Sequence, residues 1–284
     1  MAPTENKIQV GQLEWFYRES EPLTAMDAPP VVLLHGLVSQ SYSWREVMPK
    51  IAEQGRRAIA PDWIGHGFSS FPEKRDFAYT ANAFVTELER FLEALEIDRL
   101  HLVVQGFMGV YGVLFALQNP ARVERLAIVN TPLAPSVKLP GAIRRMTLPL
   151  AGEMMTQDPL LVDRTLEGGG PYQVDDQDLD VYRKPFLKTS AAGRSLLFTL
   201  RNFRLADSTQ VIAQAWPEWS QPTQLIWGVA DPWVPVAQAA QWVEQVPNGE
   251  LSRLEEVGHY AQEDWADKVS QVLVPFLRRQ SLES

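Results

Sequence analysis

Apolar positions along this chain switch between two spacings, and the switching outlines the elements. Alternating residues over 8–10 and 13–17, split by Gly11 and Gln12, predict an antiparallel hairpin at a sheet edge. After Pro29 and Pro30, VVLLHG is a short unbroken apolar run of the kind that forms a buried strand. SYSWREVMPKIAEQG predicts one helix over 41–55 ending at Gly55. RRAIAPDW predicts the next strand. Residues 79–96 place Phe84, Leu88, Phe91, Leu92 and Leu95 at helical spacing, an amphipathic helix laid on a sheet. A strand over 100–105, a helix to Asn119 and a strand over 125–130 follow. From Leu133 to Trp219 the strand pattern stops and Met-, Leu- and Pro-rich helical pieces replace it. The alternation resumes with PTQLIWG, then LSRLEEV, then a closing amphipathic helix. The pattern predicts an α/β domain in two parts, 1–132 and 220–284, with a helical segment, 133–219, between them. No repeat or low-complexity tract interrupts it.

Composition narrows the chemistry. The 284 residues are 45% apolar, enough to fill a sheet with helices on both faces. A net charge of −9 and a pI near 5.1 argue against nucleic acid or an anionic membrane as a main partner. The Lys and Arg are scattered and form no basic run. With no Cys, disulfides, thiolate metal sites and thiol nucleophiles are excluded. No metal or cofactor site is expected. The polar start MAPTENKIQV has no signal-peptide core and no run approaches membrane-spanning length, so a soluble, cytoplasmic protein is expected, with a trimmed organelle transit peptide left open. Gly168, Gly169 and Gly170 read as a flexible joint, not a phosphate loop, because no strand precedes them.

Several spaced motifs resemble the α/β-hydrolase superfamily, in its haloalkane dehalogenase and epoxide hydrolase branch. The approach LEIDRLHLVVQG, the NPARV that ends the following helix, the HG after the VVLLHG strand, APDWIGHGFSS, ADPWVP and GHYAQED carry the likeness, together with Tyr182, Pro185 and Phe186 as a YxxPF helix. The resemblance implies a mostly parallel eight-stranded sheet with helices on both faces and an inserted helical cap over 133–219. It also implies site residues. Asp231 matches the triad acid and His259 the catalytic histidine. Both flanking anchors, counted without a gap, put Gly106 of LVVQGFMG at the nucleophile position and Phe107 where dehalogenases carry a Trp; a register with Phe107 as the replaced nucleophile needs a one-residue deletion and ranks second. A glycine can hold the positive φ of a nucleophile elbow after the chemistry has gone. Val104 and Met108 replace the small residues usual on either side.

The backbone N–H groups of Leu37 and Phe107 correspond to the oxyanion donors, and Leu37, where dehalogenases have an Asn, offers a halide no side-chain donor. His35, Gly36, Gly106, Met108 and Trp233 are expected to line the pocket with the cap tyrosines Tyr172 and Tyr182, which match the type that polarises an epoxide. Asp62 is expected to tie loops together, and His66 to sit in a loop at the pocket mouth. Ser39, Ser41, Tyr42, Ser69 and Ser70 are the substitute nucleophiles to consider, each more simply a capping or turn residue. Asn130 reads as a hydrogen-bonding residue.

Two function classes stay open. In one, a pseudo-hydrolase keeps pocket and cap to bind an apolar small molecule, or to present a surface to a protein partner, without turnover. Loss of the nucleophile side chain should then enlarge the pocket floor, with Phe107, Met108 and the cap methionines as adaptable walls. In the other, His259 oriented by Asp231 acts as general base without a covalent intermediate, or a residual hydrolase works through an unrecognised nucleophile.

Overall fold

The computed structural model describes residues 2–279. Eight strands form one sheet in the order β1 (Thr4–Val10), β2 (Leu13–Ser20), β4 (Ala58–Pro61), β3 (Val31–Leu34), β5 (Leu100–Gln105), β6 (Val123–Val129), β7 (Thr223–Gly228) and β8 (Gly249–Leu254). β2 runs antiparallel to both β1 and β4, and every later pairing is parallel. This is the eight-stranded, mostly parallel sheet that the sequence predicts.

The strands separate two apolar cores because successive side chains point to opposite faces. Val31 and Leu33 join Trp44, Met48, Ile51 and Phe276 on one face, under α1 (Val47–Ala52) and α12 (Ala266–Arg278). Val32 and Leu34 join Phe84, Leu88 and Phe91 on the other, under α2 (Ala81–Ala94) and α3 (Gly109–Gln118). Thr80 caps α2, its side chain accepting from the Ala83 amide at 3.3 Å. All residues of β3, β4 and β5 are buried, as a sheet covered on both faces requires.

Between β6 and β7 the chain forms α4 to α9 (Gly141–Arg145, Ala151–Met155, Leu161–Gly168, Asp176–Lys188, Ser190–Asn202 and Leu205–Ala215), followed by a 3₁₀ turn. Ile143, Leu161, Leu196 and Ile212 of this insertion belong to the same apolar cluster as α2 and α3, so the insertion has no separate core. After β7 come α10 (Val236–Val243), β8 and the short α11 (Ala261–Asp264). No helix among the described residues is long and apolar enough to cross a membrane.

Three expected elements differ. The hairpin strands extend to Thr4 and Ser20, because Glu19 pairs with Thr4 and both Glu19 and Ser20 pair with β4. The helix predicted over 41–55 is a 3₁₀ turn, Ser41–Trp44, followed by α1. Pro49 has no amide hydrogen to donate back along a continuous helix and is tolerated here in the first turn of α1. β6 begins at Val123 and ends at Val129, which leaves Asn130 in the left-handed region at φ 44°.

Candidate active site

Three loops meet at the C-terminal ends of β3, β5 and β8. β5 ends at Gln105, Gly106 follows with φ +64°, and α3 starts at Gly109. A Cβ built on Gly106 would stand 3.1 Å from His259 Nε2 and 3.2 Å from Gly36 Cα. The turn after β5, the His-Gly loop after β3 and the histidine loop after β8 are therefore in contact. The imidazole and the Gly36 backbone close on Gly106 and leave no open space beside it, where an enlarged pocket floor was expected.

His259 is buried and its Nδ1 lies 2.8 Å from Asp231 Oδ2. The same Asp231 oxygen accepts from Asn130 Nδ2 at 2.7 Å, and the other accepts from the amides of Trp233 at 2.7 Å and Val234 at 3.0 Å. A carboxylate surrounded by donors assigns the proton of the neutral ring to Nδ1 and leaves Nε2 as an acceptor directed at Gly106. Asn130 is fixed in turn, its Oδ1 accepting from the Gly228 amide at 2.9 Å. Among the described residues no hydroxyl or carboxylate hydrogen-bonds to His259 Nε2. The ring packs against Trp233, Tyr260 and Phe107 at centroid distances of 4.8, 5.1 and 5.2 Å.

Gln105, which the sequence reading passed over, joins two of the loops. Its Oε1 accepts from the Gly36 amide at 3.0 Å and its Nε2 donates to the His259 carbonyl at 2.9 Å. A Cβ on Gly36 would fall 2.5 Å from that Oε1, so the His-Gly loop needs glycine for this approach. A lone amide ending an apolar strand just before a turn was the available signal.

The glycine run 168–170 is packed, not a flexible joint. The His259 amide donates to the Gly169 carbonyl at 2.7 Å. A Cβ on Gly169 would lie 2.7 Å from the Tyr260 ring, and one on Gly170 2.8 Å from Gly258 Cα. The end of α6 thus backs the histidine loop, and tertiary contact, not local conformation, requires those glycines.

The other expected site residues have attachments of their own. The His35 ring is built into its own loop, Nε2 accepting from the Trp63 amide at 3.1 Å, and burial holds its pKa below the usual histidine range. Tyr182 donates its phenol to Glu263, which Arg45 also clasps through two 2.8 Å bonds. Arg45 reaches Asp178 of α7 at 2.6 Å, so this network ties the insertion to the core. Tyr172 is 42% exposed with its ring against Trp265, away from the imidazole. Leu37, Phe107 and Met108 are buried, Leu37 accepting through its carbonyl from the Tyr260 phenol at 3.0 Å.

Asp62 ties loops as expected, accepting from the amides of Ser41 at 2.6 Å and Phe68 at 2.8 Å. Of the substitute nucleophiles, Ser41 accepts from Arg18, Ser69 and Ser70 accept from the amides of Phe16 and Glu14, and Tyr42 donates to Asp178. Each has a structural occupation. Ser39 Oγ is buried with no partner among the described residues and lines the seam between core and insertion. That seam, bordered also by Val38, His66, Tyr182 and Phe186, encloses about 20 Å³ open to the centre of a water-sized sphere, room for about one water. His66 bridges it, Nε2 lying 3.1 Å from Thr199 Oγ1 of α8, and burial, aided by His35, pushes its pKa down to about 3.

Similar proteins share this framework. A haloalkane dehalogenase of Psychrobacter cryohalolentis is 28% identical over 260 residues, 88% of this chain and 84% of that protein. A cis-3-alkyl-4-alkyloxetan-2-one decarboxylase of Shewanella oneidensis is 28% identical over 262 residues, 84% of this chain and 79% of that one. The crystal structure of haloalkane dehalogenase DbeA from Bradyrhizobium elkani superposes with a TM-score of 0.83 at 25% identity, covering 97% of each chain. Residues 29–265 match the alpha/beta hydrolase fold family, and the chain belongs to it.

Proposed function

We propose that Gly106 occupies the nucleophile position of this fold and that the protein binds an apolar small molecule without forming a bond to it. The observation that carries this reading is the turn itself: Gly106 holds a left-handed φ of +64°, and its missing Cβ would point at His259 Nε2 from 3.1 Å. That is the geometry of a strand-to-helix elbow aimed at a base, with no atom to alkylate or acylate. The left-handed φ falls on Gly106 and not on Phe107, which supports this register over the one with Phe107 as the replaced nucleophile. The apolar class of ligand rests on Phe107, Met108 and the partly buried Trp233 around the ring and on the names of the two relatives, both of which refer to alkyl-bearing compounds.

A second reading has an observation of its own. Asp231 orients His259 at 2.8 Å while Nε2 lacks a hydrogen-bond partner among the described residues, the arrangement of a general base without a nucleophile. One experiment separates the two. The purified full-length protein is analysed by native mass spectrometry for a retained small molecule, then assayed with a haloalkane, an alkyl ester, an epoxide and an oxetan-2-one, as wild type and His259→Ala. Binding without turnover is the expected result. Turnover that His259→Ala abolishes would replace the binder with the base-catalysed enzyme.

A further inference from the structure

At the opposite end of the strands from Gly106, basic side chains far apart in sequence converge. Arg56 precedes β4, His101 is the second residue of β5, Arg125 lies in β6, and Arg278 ends α12. They line one open pocket together with Arg99 and Arg279, against only two acids, Asp27 and Glu124. In a chain of net charge −9 this is a strong local reversal of sign. His101 and Gly106 are five residues apart on an extended strand, about 16 Å at roughly 3.3 Å per residue, so the pocket is separate from the candidate active site.

Ion pairing within the pocket is incomplete. Arg99 pairs with Glu124 at 2.7 Å, and Arg279 pairs with Glu250. Arg56 and Arg125 form no ion pair with any described residue, although Arg125 is only 4% exposed. The Arg56 guanidinium donates to His101 Nε2 at 2.9 Å. That bond makes Nε2 the acceptor and puts the ring proton on Nδ1. His101 is 2% exposed, and its Nδ1 has no partner among the described residues; neither does the buried Nε of Arg56. The buried groups left without a partner here are therefore donors. Buried donors without acceptors are costly, and two guanidinia with no carboxylate partner, Arg125 spending one nitrogen on the Arg279 carbonyl, suit the bidentate geometry of phosphate.

We propose that this pocket binds a phosphate-bearing small anion, clasped by Arg56 and Arg125 and capped by the Nδ1–H of His101, with Arg278 at the rim. Burial, and then the neighbouring arginines, pushes the His101 pKa down to about 3, so the ring meets the anion as a neutral donor. Arg56 and Arg125 are each held below the usual arginine range, burial being the main cause, and a bound dianion would relieve both.

The test titrates inorganic phosphate, pyrophosphate and adenosine monophosphate into the full-length protein by calorimetry, at constant ionic strength set with chloride. Saturable binding of at least one is expected, with an accompanying rise in Tm that chloride does not reproduce. Preference for the bare anions or for the nucleotide identifies the source of the phosphate. Arg56→Gln should weaken binding at least tenfold. Because Arg125 is buried over Phe276 and its replacement endangers folding, the second variant is the exposed Arg278→Glu, which should weaken binding severalfold at unchanged Tm without ligand. No saturable binding of any of the three, or equal affinity in wild type, Arg56→Gln and Arg278→Glu, would overturn the proposal.

Discussion

Gly106→Ala measures what the turn after β5 demands of its residue. A φ of +64° places an L-residue in the left-handed region, at a cost of roughly 1–2 kcal/mol. The new methyl would also lie 3.1 Å from His259 Nε2 and 3.2 Å from Gly36 Cα, inside the ordinary contact distance of about 3.5–4.0 Å. Crowding of a tight interior typically costs about 1–3 kcal/mol. Alanine stabilises in one respect only, by restricting the unfolded chain, a gain of about 0.4–1 kcal/mol. The crowding and φ terms win, and the expected loss is about 2–4 kcal/mol. Urea unfolding followed by tryptophan fluorescence gives the value, with an unchanged m showing that the same folded state is compared. Repeating the substitution in a His259→Ala background removes the ring contact but neither the φ nor the Gly36 contact, so the loss should fall by about 1 kcal/mol. A Gly106→Ala protein within about 0.5 kcal/mol of wild type would refute both the backbone reading of the turn and the closeness of the imidazole.

Further outcomes follow from groups around the site. Burial pushes the folded pKa of His66 down to about 3, below the ordinary histidine value of about 6.5; the unfolded chain therefore takes up the proton first, and stability present above about pH 6.5 is lost as pH falls towards 3. At pH 5 this amounts to about 2 kcal/mol, so His66→Gln should flatten the stability curve between pH 7 and 5 by that much in denaturant titrations; parallel curves would contradict the burial argument. Arg45→Ala strands the Glu263 carboxylate, whose side chain is only 3% exposed, and should cost about 3–5 kcal/mol with faster amide exchange in α7. A loss below about 1 kcal/mol would mean that the network does not hold the insertion.

The parts legible in the sequence are those governed by local pattern. β5 is an apolar run of fixed parity, so its end at Gln105 and the turn at Gly106 could be counted. Asp231 and His259 sit in loops whose neighbouring residues mark them, and the fold brings them to 2.8 Å. What escaped the reading depends on residues distant in sequence meeting in space. Gly169 and Gly170 have no unusual φ to announce them; their requirement comes from Gly258 and Tyr260. Gln105 looks like an ordinary strand end until the Gly36 amide and the His259 carbonyl arrive on either side of it. The arginines at 56, 99, 125, 278 and 279 form no run, and only strand order gathers them. The split of the 41–55 helix was the one error with a local cause on view, Pro49.

The Gly169 carbonyl receives the His259 amide at 2.7 Å, and Gly170 lies too close to Gly258 for a methyl group to intervene. The position of the α6 end and the seat of the histidine loop therefore share one coordinate. Any motion that swings the end of α6 outward must either break that hydrogen bond or carry the backbone of His259 with it.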